Sequence, residues 1–110
     1  MINQLRIYGI HEENKAAFHD RFRDHASRIM ARHGFRLQAM WEAGSGDDLT
    51  FVYLLAWRDE AEMKAQWASF MADQEWIEIK RQTADTPMVR GIDEMILRAT
   101  DYSAPIGVSS

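Results

Sequence analysis

Seven residues of this 110-residue chain combine flat rings with cations or phenols: Arg6, Tyr8, Trp41, Tyr53, Trp57, Trp76 and Arg98. Rings of this kind wall an apolar pocket, and a few convergent polar groups orient whatever enters it. A small apolar or aromatic ligand would stack on Trp41 and Trp57, its carbonyl or phenolate oxygen held by Arg6, Arg98 or Tyr53. If a reaction takes place, Tyr53 and Arg98 are the groups to hold an anion. His11, at the mouth of the first strand-to-helix loop, is then the auxiliary acid or base. The competing role is packing. Aromatic stripes in strands ordinarily fill cores, which would make these rings a subunit interface with the arginine ends reaching solvent.

Other chemistry-bearing residues are less well placed. The histidines are His11, His19, His25 and His33. Helical rise separates His19 from His33 by about 21 Å and His25 from His33 by about 12 Å. No i, i+4 His pair and no Cys completes a zinc set, so no metal is expected. His25 falls between Phe22 and Ile29 on an apolar arc, the place of a hydrogen-bonded core histidine. Arg21, Arg28 and Arg32 form a stripe that reads as a solvated helix face, with Asp24 spaced to pair with Arg28. Glu42, Asp93 and Glu94 lie in strands, with no spacing that brings them together.

Composition removes whole classes. With no cysteine, disulfide scaffolds and thiol nucleophiles are excluded. Thirteen Lys and Arg against 17 Asp and Glu give a net charge of -4, the wrong sign for a protein that neutralises phosphates, so no nucleic acid partner is expected. The longest apolar run, Leu49 to Trp57, falls well short of the about 20 residues a membrane span requires. No basic-then-apolar leader opens the chain, and a soluble, cytoplasmic protein is expected. Glycine-rich phosphate loops, a serine nucleophile elbow and HExxH are all missing, which leaves no cofactor to expect.

The elements that must position these residues follow from periodicity. Ile2 to Tyr8 alternates as a strand, Leu5 and Ile7 on one face, Arg6 and Tyr8 on the other. From Asn14, a good N-cap, to His33, the residues Phe18, Phe22, Ala26 and Ile29 share one helical face, and Gly34 ends the helix. Phe35 to Ala43 and Leu49 to Trp57 read as a hairpin across Gly44-Ser45-Gly46-Asp47-Asp48. Asp59 and Glu62 form a capping box for a helix carrying Met63, Trp67, Phe70 and Met71. Asp73 caps a further helical stretch through Trp76 and Ile79, stopped by Thr86-Pro87. Val89 to Arg98 is the last strand.

The order β, α, β, β, α, β is the ferredoxin-like arrangement of the α+β class: an antiparallel four-stranded sheet with its helices on one face. Its bare face, ring-rich if Tyr8, Trp41, Tyr53 and Trp57 lie there, would need a second sheet to cover it. A homodimer enclosing a barrel is expected, each chain contributing a domain over residues 1–103 and a small polar tail over 104–110.

The strand Gln4-Leu5-Arg6-Ile7-Tyr8, the helical piece Glu13 to His25, Met40-Trp41-Glu42, Gly46, Phe51 to Trp57, Asp73-Gln74-Glu75-Trp76 and Ile96-Leu97-Arg98 together resemble the NIPSNAP family, from Ile2 to about Ser103. The third strand departs from that pattern, with Tyr53 and Leu55 where the family often has His and Trp. The resemblance implies a dimeric α/β barrel and, since most members are uncharacterised, no particular reaction. Related dimeric barrels include cofactor-independent monooxygenases of phenols and quinones. Three functions therefore stand open: binding of a small apolar or aromatic ligand in the barrel, such a monooxygenase, and an interaction module whose barrel is filled.

Overall fold

A computed structural model describes residues 1–104; the tail expected over 104–110 lies, beyond Ala104, outside the described residues. The strands are β1 (Ile2–Ile10), β2 (Arg36–Ala43), β3 (Thr50–Trp57) and β4 (Val89–Leu97). The helices are α1 (Lys15–Arg21), α2 (Ser27–Arg32), α3 (Glu60–Met71) and α4 (Gln74–Gln82). The strands form one sheet in the order β2-β3-β1-β4 with every neighbouring pair antiparallel. This is the expected ferredoxin-like topology. No helix among the described residues is long and apolar enough to cross a membrane.

The expected single helix from Asn14 is interrupted. A turn of 3₁₀ helix at Glu12–Asn14 precedes α1, and a π-turn at Phe22–Ala26 joins α1 to α2. Such wide turns occur as single-turn bulges inside α-helices, and here the buried residues Phe18, Phe22, Ala26, Ile29 and Met30 all stay on the core side. The helix stops as anticipated. Gly34 takes φ +80°, the Phe35 amide donates to the Met30 carbonyl at 3.0 Å and the Gly34 amide to Ala31 at 3.1 Å, a Schellman closure.

Of the three anticipated N-caps, Asp59 and Asp73 cap their helices, whereas Asn14 makes no side-chain cap bond and donates instead to the Pro87 carbonyl at 2.6 Å. Asp59 accepts from the Glu62 amide at 2.8 Å, and Glu62 accepts from the Arg58 amide at 2.8 Å. Asp73 Oδ1 accepts from the Glu75 and Trp76 amides at 2.9 and 3.2 Å, while its Oδ2 accepts from Arg32 and contacts His33, each at 2.7 Å. One carboxylate thus starts α4 and ties it to the end of α2.

The ring-rich face of the sheet differs from expectation. Arg6 stands opposite Tyr53 and Glu94, Tyr8 opposite Phe51 and Ile92, and Ile2 opposite Trp57, and this face lies under the chain's own helices. Tyr8, Tyr53 and Trp57 are buried there, so they do not form an exposed wall awaiting a second sheet. Alternation reveals which residues share a face, but not which face the helices cover; long rings suit the helix side because they span the gap between the layers. The bare face carries Leu5, Ile7, Val52, Leu54 and Met95 instead.

Trp41 reaches that bare face through a bulge. In β2 the pairing with β3 shifts between Leu37 and Ala39, so Gln38 is an extra residue. Phe35 therefore packs into the core, its ring centroid 4.9 Å from that of Trp57, while Trp41, opposite Val52, remains 50% exposed.

Candidate functional site

Between the sheet and its helices lies a cavity of about 280 Å³. Its floor is Arg6 and Tyr8 of β1, and Val89 and Ile92 of β4. The π-turn and the helices flanking it supply Phe18, Phe22, Ala26 and Met30; α3 adds Trp67 and Phe70, and α4 adds Trp76 and Lys80.

A polar network runs beside this floor on the same face of the sheet. Gln4, buried on β1, accepts through Oε1 from the indole N–H of Trp57 at 2.9 Å and of Trp67 at 2.8 Å. Its amide nitrogen donates to Glu94 Oε2 at 2.8 Å, and the same oxygen accepts from Arg6 Nη1 at 2.7 Å. The hydrogen bond from Arg6 holds Glu94 below the ordinary carboxylate range, against a smaller opposing effect of desolvation.

Arg6 continues the chain toward the phenols. Its Nη2 donates to Tyr8 Oη at 3.3 Å, and Tyr8 Oη lies 2.5 Å from Tyr53 Oη. The guanidinium also lies over the Trp67 ring, 4.4 Å from its centroid, a cation–π contact. Arg6 Nε is buried and has no hydrogen-bond partner. Burial alone would lower the pKa of Arg6, but the adjacent Tyr8 and Tyr53 hydroxyls together outweigh it and leave the guanidinium above its usual value. Burial, then the neighbouring Tyr8, pushes Tyr53 well above the usual phenol range, the Arg6 cation opposing. Tyr53 is therefore a neutral hydrogen-bonding phenol at pH 7, not a base.

The anticipated residues divide accordingly. Arg6, Tyr8 and Trp76 line the cavity, and Tyr53 is joined to them through Tyr8. Trp76 stacks on Phe70 with centroids 5.2 Å apart. Trp57 lies in the core beside the cavity, bonded to Gln4. Trp41 is on the opposite face of the sheet. Arg98 donates to Glu60 Oε1 at 2.6 Å from an exposed position, and His11 sits 3.8 Å from Glu13 in its loop; neither lines the cavity.

Four contributors escaped the sequence reading. Gln4 and Trp67 carry the network, and Arg21 and Lys80 line the cavity. Arg21 had looked like part of a solvated stripe, yet only Arg28 and Arg32 of that stripe reach outward, to Glu75 and Asp73. Arg21 turns inward, its guanidinium 5.5 Å from the Trp76 ring centroid. The usable signal was its i, i+3 relation to Phe18, which places both on one helix face. His25 is half-buried beside Arg28, 3.3 Å away. Among the described residues no three His, Asp or Glu side chains form a cluster suited to a metal ion.

The sequence matches the NIPSNAP family profile over residues 3–104. The chain belongs to the NIPSNAP family. An uncharacterized NIPSNAP domain protein from Burkholderia xenovorans is similar in structure, with TM-score 0.80, 20% identity, and coverage of 96% of this chain and all of that one. A NIPSNAP family protein from Agrobacterium tumefaciens is similar at TM-score 0.81 and 18% identity, covering 93% of this chain and 95% of that one. More distantly, a monooxygenase from the gene ActVA-Orf6 of Streptomyces coelicolor, solved with the ligand nanaomycin D, reaches TM-score 0.60 at 12% identity over 94% of this chain and 91% of that one. At such identities these likenesses show a shared fold. No curated protein matches the NIPSNAP chain significantly.

Proposed function

We propose that this NIPSNAP protein binds a small apolar or aromatic molecule between its sheet and its helices, with a ligand oxygen held by Arg6 and Tyr8, whose hydroxyl is paired with that of Tyr53. The observation that carries this reading is the cavity itself: about 280 Å³ walled by rings and floored by a guanidinium whose Nε is buried without a partner. Small-molecule sites usually measure about 300 to 1,000 Å³, so this one suits a body of one or two rings. The expected ligand chamber thus moves from the space between two subunits to the inside of one. Titration of 2-naphthol by calorimetry tests the reading. Saturable binding with a dissociation constant on the order of 100 μM is expected, weakened in Ala26→Leu, which fills part of the cavity. Absence of saturable binding to wild type rules it out.

A second reading, cofactor-independent oxidation of a phenol to a quinone by dioxygen with release of water, is favoured by one feature. Arg6 and the Tyr8–Tyr53 pair are preorganised donors able to stabilise a phenolate in a ring-lined space. Aerobic incubation with phenols and hydroquinones, comparing wild type with Tyr53→Phe, distinguishes oxidation from binding. Equal background oxidation in both removes the oxidative role.

The homodimer is proposed on a new footing. The bare face joins Leu5, Ile7 and Val52 to Trp41 and Met95, the last two about half exposed. A second copy covering this aliphatic surface gives a closed, self-complementary pair. Light scattering at micromolar concentration should report about twice the 12.8 kDa chain mass, and a monomer contradicts it.

A further inference from the structure

The charges on the cavity wall are all of one sign. Arg6, Arg21 and Lys80 line it, and no Asp or Glu does. This is unusual in a chain with 17 acidic residues and a net charge of -4. Elsewhere the cations are largely matched: Arg28 with Glu75, Arg32 with Asp73, Arg36 with Glu62, Arg98 with Glu60.

Arg21 and Lys80 are exceptions. Both are half-buried, and among the described residues neither has a carboxylate within ion-pair distance. The fixed contacts of Arg21 are neutral: Nη1 donates to Thr83 Oγ1 at 3.0 Å, and the guanidinium lies near the Trp76 ring. Burial lowers its pKa, with Tyr8 only partly offsetting this. Arg6 gives Nη1 to Glu94 but keeps Nε unbonded. Partly desolvated cations without counter-charges are costly, and a negative group entering the cavity would offset that cost.

We propose that the ligand is an organic anion: a carboxylate on a one- or two-ring apolar body. Its carboxylate faces Arg21 and Lys80, and its body packs against Phe18, Phe22 and Trp67. The planar guanidinium forks match a carboxylate bidentately. This deepens the cavity reading and rests on it.

The two claims are separable by a matched pair of probes, 2-naphthoate and 2-naphthalenemethanol, which share a ring body and differ in charge. In calorimetric titrations at pH 7, naphthoate is expected to bind about tenfold more tightly. The Arg21→Gln/Lys80→Gln variant should lose most of that advantage, the affinity for naphthoate falling by more than that for the alcohol. Should that variant melt early, Lys80→Gln alone is expected to weaken naphthoate about threefold and the alcohol by less. If the alcohol binds wild type as tightly as naphthoate, the anion claim falls and the cavity reading stands. If neither probe binds, both fall. An advantage for naphthoate that survives removal of both cations also overturns the proposed recognition.

Discussion

Tyr8 and Tyr53, on adjacent strands, join hydroxyl to hydroxyl at 2.5 Å and meet edge to face with centroids 5.3 Å apart. The pair is both the end of the polar chain from Gln4 and part of the aromatic core, so one substitution probes both. Tyr53→Phe keeps the ring and deletes the hydrogen bond, and should cost about 1 kcal/mol in urea unfolding.

The same residue sets an alkaline limit. The folded-state pKa of Tyr53 is raised, so unfolding above pH 10 releases a proton that the native state retains. Its contribution is complete below the unfolded phenol value and is lost as pH rises beyond it. Stability should decline above about pH 10, by up to about 1.4 kcal/mol per pH unit for this group. Unfolding at pH 9 and pH 11 should show a smaller decline in Tyr53→Phe than in wild type.

Gln4→Ala is expected to be more damaging than its polarity suggests. Two indole N–H groups and Glu94 lose their shared partner in a buried setting, with a predicted loss of about 3 kcal/mol by denaturant titration.

Two tryptophans should behave in opposite ways. Trp57→Asp places an unpaired charge in the core beside Phe35 and should prevent folding, a loss above about 4 kcal/mol. Trp41→Asp alters the bare face. It should leave the circular dichroism spectrum and monomer fold intact while abolishing self-association by light scattering.

On the acid side, the hydrogen bonds of Arg32 and then His33 hold Asp73 well below the usual carboxylate range, and those of Arg28 and Arg32 hold Glu75 down at about 2. Lowered folded-state values mean that this contribution is present above the unfolded carboxylate pKa, near 4, and is lost as pH falls toward 2. Thermal melts from pH 5 to pH 2 should show that loss, reduced in Asp73→Asn.

Much of the fold was legible because it rests on local signals. Asp59 and Asp73 announced two helices, Gly34 ended another, and alternation marked β1 and β4. What stayed hidden depends on tertiary context. The bulge at Gln38 breaks the parity of β2 and separates Phe35 from Trp41, although an even reading puts them on one face. The side of the sheet bearing Arg6, Tyr8 and Tyr53 was identified as a set, but its covering helices came only with the structure. Arg21 escaped because an arginine spaced along a helix with Arg28 and Arg32 looks solvated until the π-turn and Trp76 are seen beside it.

The four indoles offer the most direct test, since they report from different places: Trp67 and Trp76 line the cavity, Trp57 lies in the core, and Trp41 is on the outer face. Titrating 2-naphthol into ¹⁵N-labelled protein and following the indole N–H resonances, with Trp41 assigned through Trp41→Phe, should shift Trp67 and Trp76 while Trp41 stays in place. A shift confined to Trp41, or no shift in any indole, would contradict a ligand site between the sheet and its helices.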